Sequence, residues 1–352
     1  MKDNGDHGGG AGAVGMSDSH EQSMSDGETP FFSVIMPTRN RPQLFRRALD
    51  SVLAQAFDDI EVLVVNDGSA DEFLPEYRAM EADYDARVRW YYQPQRANGH
   101  GPSYSINTGA QAARGRYLCI LDDDDSWEAV DHLQKAHRVI TASAATVDAY
   151  YSNQRAYSAD GEVIAKRLWL AVLASRLPEG QGGEHGVYPV TPEFLLGCNG
   201  FPHLNCTIIR RELYLGIGGM DEGIRYECEV DLYLRTLDAA RLIIYNPAFV
   251  ARHNVPQAAL KNNVSTSVTR IEKRLSQIAV YQKNLVRATA AAIRDDCVAK
   301  LSVLYKGLAR EFVVNGNYAI AVIYARMALA LRYSIKWRFY SFYLGLRARV
   351  RG

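Results

Sequence analysis

The amino-acid sequence predicts an α/β protein with a mostly parallel sheet, helices on both of its faces, and a helical extension at the C-terminus. Three observations lead there. Short apolar runs alternate with amphipathic segments as far as about residue 142. The runs are almost continuously apolar, as strands covered on both faces are. From about residue 256 onward the pattern is helical throughout. With 352 residues, 47% hydrophobic and 23% charged, the chain has the composition of a soluble globular protein with a sizeable core.

Taken in order, residues 1–29 are rich in Gly, Ser and Asp, lack an apolar run of the kind a secretion signal carries, and are expected to be a disordered tail. "FFSVIMP" (31–37) reads as the first strand. Asn40 is expected to cap the helix that follows, with Pro42 in its first turn and Leu44, Phe45, Ala48, Leu49 and Val52 at helical spacing. "IEVLVV" (60–65), "VRWYY" (88–92) and "RYLCIL" (116–121) are the next strands, with helical segments over 100–113 and 127–142. "YSNQRAYSADGEVIAKRLWLAV" then reads as strand, turn and strand, followed by the Gly-rich loop "LPEGQGGEHG". In "GLAREFVVNGNYAIAVIYARMALAL" the spacing of Gly316, Tyr318, Ala321, Ala325 and Ala328 resembles one tetratricopeptide helical hairpin. The predicted organisation is therefore a tail (1–29), an α/β domain (30–255) and a helical region (256–352).

Parallel sheets bind ligands beyond the carboxyl ends of their strands, and three of these strands end in polar clusters: "PTRNRP", "NDGS" (66–69) and "LDDDDSW" (121–127). Four consecutive carboxylates repel one another, so a solvated loop or an acidic helix start is the simple reading, as an Asp-Gly turn is for Asp67. Their common placement at one sheet edge favours a ligand. Neither a G-x-G-x-x-G dinucleotide loop nor a phosphate-binding P-loop is present, which disfavours an NAD enzyme.

In order along the chain, "SVIMPTRNRPQLFRRALDSVLAQ", "IEVLVVNDGSAD", "NGHGPSYSINTGAQAARGRYLCILDDDD", "GGMDEGIRYECEVDLYLR" and "RHN" make residues 31–255 resemble the inverting GT-A glycosyltransferases of family 2. The resemblance implies a Rossmann-like nucleotide-sugar-binding fold, a nucleotide-sugar donor, UDP-linked by expectation, a divalent cation (Mn²⁺ or Mg²⁺) and inversion at the anomeric carbon. A hard cation on the diphosphate stabilises the charge that develops as the glycosidic bond breaks. By the same resemblance, Asp124 ends the D-x-D pattern and contacts the metal, while Asp122 and Asp123 accept hydrogen bonds from the donor's ribose or sugar hydroxyls. Asp125 would only cap the helix expected near Trp127. Asp67 falls where the family contacts the nucleotide base, Thr38 and Arg39 where it grips the nucleotide, and His253 where a histidine often completes the metal site.

An inverting displacement needs a carboxylate to take the acceptor hydroxyl's proton. The family supplies it from Glu-Asp before "x-D-L-x-x-R"; here "ECEVDLYLR" makes the pair Cys228-Glu229, so Glu229 is the expected base, one methylene longer than usual. Glu227 is its rival, and Asp231 is expected to support the helix start. His100, His185 and His203 have no spacing that singles them out. Tyr157, Trp169 and Tyr188 are candidates to stack on sugar faces, core packing being the commoner fate of such residues.

The chain is neutral overall, with forty residues of each sign, which argues against nucleic acid as its main partner, but its ends differ. Residues 1–30 hold one Lys against six Asp/Glu and residues 300–352 ten Lys/Arg against one Glu. The cationic, aromatic tail "RYSIKWRFYSFYLGLRARVRG" can lie on an anionic membrane surface or pack on the rest of the chain. Five scattered cysteines with no C-x-x-C pair suit a reduced, cytoplasmic chain, at the membrane's inner face if the tail docks there. The acceptor expected by analogy is a saccharide or lipid-linked saccharide of surface-polysaccharide assembly. The alternatives are a sugar-nucleotide nucleotidyltransferase, which "PTRNRP" in place of a Gly-rich loop disfavours, and an inactive nucleotide- or saccharide-binding module, which Cys228-Glu229 leaves open.

Overall fold

A computed structural model describes residues 29–166, 168–178, 183, 185–256 and 268–351. The expected N-terminal tail lies outside the described residues except for Thr29, as do residues 179–182 and 184 of the Gly-rich loop. Strands β1 (Phe32–Thr38), β2 (Ile60–Asn66), β3 (Val88–Tyr92) and β4 (Tyr117–Ile120) pair in parallel in the order β3-β2-β1-β4. Helices α1 (Pro42–Leu53), α2 (Leu74–Asp83) and α3 (Pro102–Ala112) connect them. From β1 the chain builds outward to β3 and then crosses back to β4 on the other flank of β1. Strand order therefore reverses between β1 and β4, and a crevice opens beyond their carboxyl ends.

The sheet continues from β4 through β8 (Thr207–Arg210), β6 (Ala149–Tyr157), β9 (Ile243–Asn254) and the short β5 (Ser126–Trp127), with β7 (Tyr188–Val190) also on β9. Here β6 and β9 run parallel while β4–β8, β6–β8 and β5–β9 are antiparallel.

Period-two alternation sorts the strand residues between the two faces. Val34, Met36, Val62 and Val64 pack with Phe45, Leu49 and Val52 of α1 and with Leu133 and Ala136 of α4 (His132–Ala142). Ile35, Leu63, Leu118 and Ile120 pack on the opposite face with Ile106 and Ala110 of α3 and Tyr214 of α6 (Arg211–Gly216). Each buried Val, Leu, Ile, Met or Phe among them stabilises the fold by roughly 1.5–3 kcal/mol relative to exposure.

Beyond the short α5 (Pro192–Leu196) come α7 (Cys228–Ala239), α8 (Arg270–Arg287), α9 (Ala291–Val314), α10 (Tyr318–Leu331) and α11 (Ile335–Arg351). Val280, Ile293 and Cys297 from α8 and α9 join Val230, Leu234, Leu237 and Ile243 in one cluster, so the C-terminal helices share a core with the sheet. α9 turns into α10 at Gly316, whose φ of 73° a side chain would strain. Buried Ala321, Ala325 and Ala328 let α10 approach α9 closely, and Ser302 Oγ donates to Ala328 O at 3.2 Å. Among the described residues no helix is long and apolar enough to cross a membrane.

Three local expectations fail. Asn40 does not cap α1; it adopts a left-handed φ of 58° and its Oδ1 accepts the Ala70 N–H at 2.8 Å, while Arg41 holds the cap position. The helix expected from 127 begins at His132, because Trp127 is drawn into the sheet as β5 and its indole N–H donates to Asn205 O at 2.9 Å. The strand expected after the turn at 158–161 is a single bridge, Tyr157 to Val163, followed by a 3₁₀ segment at Trp169–Arg176.

Candidate functional site

The crevice begins where β1 and β4 end. Thr38 Oγ1 donates to Asp123 Oδ2 at 3.0 Å and lies 2.7 Å from the Tyr77 hydroxyl, and the Arg39 N–H reaches the same carboxylate at 3.4 Å. Arg41, at the head of α1, bridges two of the four aspartates through one nitrogen, 3.1 Å from Asp123 Oδ1 and 3.0 Å from Asp124 Oδ2. These contacts explain how adjacent carboxylates survive together. Burial nevertheless pushes the Asp123 carboxyl up to about 7, with Arg41 opposing and Asp124 adding to the rise.

Asp67 directly follows β2 and is tied to the start of α3. Its Oδ1 accepts from His100 N at 2.8 Å and sits 3.0 Å from His100 Nδ1, and its Oδ2 accepts from Gly101 N at 3.0 Å. Gly99 is required here: a Cβ would stand 2.3 Å from Asp67 Oδ2, and φ is 65°. The Arg39 guanidinium donates to Arg96 O (2.9 Å) and Ala97 O (3.1 Å), holding this loop beside Asp67. The structure thus brings Thr38, Arg39, Asp67 and Asp122–Asp124 to one edge.

The opposite wall comes from distant segments. His253, near the end of β9, places Nδ1 2.9 Å from Asp125 Oδ2; Asn205 Nδ2 donates to the same oxygen at 2.8 Å, and the Asn254 N–H to Asp125 Oδ1 at 2.8 Å. Asp125 is therefore no helix cap, because α4 starts seven residues later and these donors hold its carboxylate inside the site. His203 stacks at a tilt beside His253, ring centroids 4.7 Å apart, with Nε2 3.7 Å from Glu229 Oε1. Trp169 meets both imidazoles edge-on, at 6.4 and 5.4 Å.

Two overlapping groups could hold a cation: Asp125 with His203 and His253, and Asp122 with His203 and Glu229, the ligand atoms of each within 4.8 Å of one another. The fit is supported by His203 Nδ1, a buried atom with no hydrogen-bond partner. Burial alone would pull the His203 imidazole down, but the surrounding carboxylates, Glu229 first and then Asp122, outweigh it and raise it to about 9. Burial holds Asp122 well above the usual carboxylate range, with His203 opposing and its acidic neighbours adding to the rise. A divalent cation would take the place of the imidazolium proton. The carboxylates of these groups suit a hard cation such as Mg²⁺ or Mn²⁺. Asp124, the ligand expected from the sequence, lies with Arg41 rather than in either group.

The three carboxylates near the start of α7 are sorted by their partners. Glu227, at a left-handed φ of 67°, accepts from Gln277 Nε2 at 2.9 Å, and burial raises its carboxyl. Asp231, fully buried, holds Arg235 (2.9 Å), Lys283 (2.7 Å) and Asn284 (2.8 Å), a larger role than supporting a helix start. Glu229 faces His203 and Asp122. His203 is the site residue that sequence reasoning passed over, since no spacing marks it and tertiary packing alone brings it to the crevice; Asp125, marked by the acidic run, was expected only to cap a helix.

Residues 33–181 match the family model described as glycosyl transferase family 2. The succinoglycan biosynthesis protein ExoW of Rhizobium meliloti is 29% identical over 211 residues, 57% of this chain and 59% of that protein. Matches to the first curated relatives span about a quarter to three fifths of their own lengths. Among solved structures, S. aureus TarS 1-349 in complex with UDP-GlcNAc superposes with a TM-score of 0.59 at 17% identity, covering 90% of this chain and 88% of that one. Mannosyltransferase PcManGT from Pyrobaculum calidifontis, in complex with GDP-Man and Mn2+, gives 0.58 at 20% identity, covering 92% and 87%. At these identities the two structures speak for the fold.

Proposed function

We propose that this chain, which belongs to glycosyl transferase family 2 through residues 33–181, is a metal-dependent inverting transferase that moves one sugar from a nucleotide sugar to a saccharide or lipid-linked acceptor in surface-polysaccharide assembly. The observation that carries the reading is the sorting of carboxylates: Glu227 and Asp231 are occupied by Gln277 and by Arg235, Lys283 and Asn284, whereas Glu229 faces Asp122 across His203. One structural neighbour is solved with UDP-GlcNAc and another with GDP-Man and Mn2+, which supports a nucleotide-sugar donor. UDP is the donor nucleotide we propose.

In this reading Asp67 meets the nucleotide base, beside Thr38 and Arg39, and Asp122 and Asp123 accept from ribose or sugar hydroxyls. His253 with His203 and Asp125 are the residues to hold Mn²⁺ or Mg²⁺; Asp124, the ligand the resemblance implies, is held by Arg41 beside them. Such a cation, when bound, stabilises the negative charge on the departing diphosphate. Glu229 takes the proton from the acceptor hydroxyl as that oxygen attacks from the face opposite the diphosphate, and His203 orients the Glu229 carboxylate. Trp169, edge-on to the two histidines, borders the acceptor side. A lipid-linked acceptor lies at a bilayer, and the cationic C-terminal region is the part of the chain suited to that surface.

Glu229→Gln tests this. It should retain UDP binding by isothermal titration and lose transfer by on the order of 10²–10⁴, the contribution of a positioned general base. Parental transfer by Glu229→Gln, with loss in Glu227→Gln, would move the base to the neighbour.

A further inference from the structure

The last helix presents the wrong face to solvent for a helix that only packs. Ile335, Phe339, Phe342, Tyr343, Leu346 and Val350 of α11 are 47–82% exposed, whereas Trp337, Ser341 and Leu344 are buried against α9 and α10. At about 100° per residue the six exposed side chains fall within an arc of roughly 100°, over a length of about 22 Å. Lys336 and Arg347 border that arc on one side, Arg338 and Arg349 on the other. No Asp or Glu occurs after Glu311.

Beside α11 lies a cavity of about 530 Å³ whose lining includes Arg176, Lys300, Lys306 and Arg332 against one carboxylate, Asp296. It lies at the start of the helix, Arg332 standing three residues before Ile335; Lys306, which also lines it, has Nζ 5.6 Å from the ring of Trp337 on the helix's buried side.

We infer that α11 docks its Ile335–Val350 face into the interfacial layer of an anionic membrane, with the neighbouring Lys300–Arg332 cavity receiving a phosphate-bearing lipid headgroup. An apolar stripe rich in aromatic residues and flanked by cations is the composition that lies in a bilayer interface. The flanking cations select anionic lipid. A second copy of the chain fits the same face poorly, because a two-fold contact would set each cationic border near its own like. None of these residues belongs to the crevice, so the inference stands independently of which base or cation serves transfer.

The test uses the full chain with phosphatidylcholine vesicles, with and without phosphatidylglycerol. The parent should cosediment with the anionic vesicles and bind the neutral ones at least tenfold more weakly. Phe339→Ser/Phe342→Ser, both at exposed positions, should lose at least tenfold in vesicle affinity with an unchanged melting temperature and unchanged UDP binding. Lys300→Glu/Arg332→Glu should lose at least threefold. Equal vesicle binding by the parent and the Phe339→Ser/Phe342→Ser variant would overturn the docking. A parent dimer that this variant converts to monomer, with no vesicle binding by either, would assign the face to self-association instead. Undiminished binding by Lys300→Glu/Arg332→Glu would remove the cavity from the proposal.

Discussion

The two walls of the crevice are built differently. The β1–β2–β4 wall is made of strand ends: Thr38, Asp67 and Asp122–Asp124 each lie within a few residues of a strand's last pairing, and many of their partners are main-chain groups such as Arg39 N, His100 N and Gly101 N. The facing wall is assembled from side chains on separate segments, Trp169, His203, Glu229 and His253, fixed by one another and by a buried ion network behind α7. A wall of backbone donors tolerates side-chain change, because the strand geometry survives it. A wall of side chains stands or falls with its supports.

The largest effect expected from that difference is at Asp231. Replacing it by Ala leaves Arg235 without its carboxylate and Lys283, itself 18% exposed, with Asp221 alone. Breaking a buried ion pair from one side costs about 3–5 kcal/mol. Chemical denaturation should report that loss, and transfer should fall because Glu229 stands half a turn away on the same helix. Asp67→Ala, on the other wall, removes the acceptor of the His100 and Gly101 N–H groups and should lower the unfolding free energy by about 1.5–3 kcal/mol, the scale of hydrogen bonds to a charged group. A stability loss at Asp67 equal to that at Asp231 would erase the distinction between the walls.

Next in size is the cation. His203→Asn should weaken Mn²⁺ binding at least about tenfold, the order of effect of removing a metal's supporting partner, while leaving metal-free uridine binding unchanged. Asp124→Ala is the counter-test, because the sequence resemblance puts the ion there and the geometry gathers ligand atoms around His203 instead. Loss of Mn²⁺ binding in Asp124→Ala with none in His203→Asn would return the ion to the strand-end wall.

The same contrast explains what the sequence disclosed. The placement of Asp67 and Asp122–Asp124 was legible because parallel strands deliver their following residues to one edge, and a strand's end can be read from its apolar run. The sheet's first half and the helical C-terminus were legible for the same reason, from periodicity. His203 was not: it lies in "FPHLNC", between a turn and a short strand, and becomes a site residue only because β8 pairs with β4 and β6. Asp125 was misjudged because the pull of Trp127 into the sheet is a tertiary event that local helix signals do not contain. Asn40 failed similarly, its side chain being taken by Ala70 across the crevice edge.

The smallest expected effect distinguishes binding from stability on the strand-end wall. With its carboxyl raised to about 7, Asp123 is largely protonated at pH 6 and ionised at pH 8. Only the ionised form offers both oxygens to ribose hydroxyls, so metal-free uridine binding should weaken up to about tenfold from pH 8 to pH 6. Stability should move the other way. Between the unfolded carboxyl's ordinary value and 7 the folded state binds the extra proton, so this group's contribution is fully present below the ordinary value and is lost as pH rises through 7. Asp123→Asn, which cannot titrate, should flatten both trends. If uridine binding in the parent is unchanged over that range while Asp123→Asn binds as well, Asp123 serves Arg41 and Thr38 alone, and the strand-end wall touches the nucleotide through Asp67 without it.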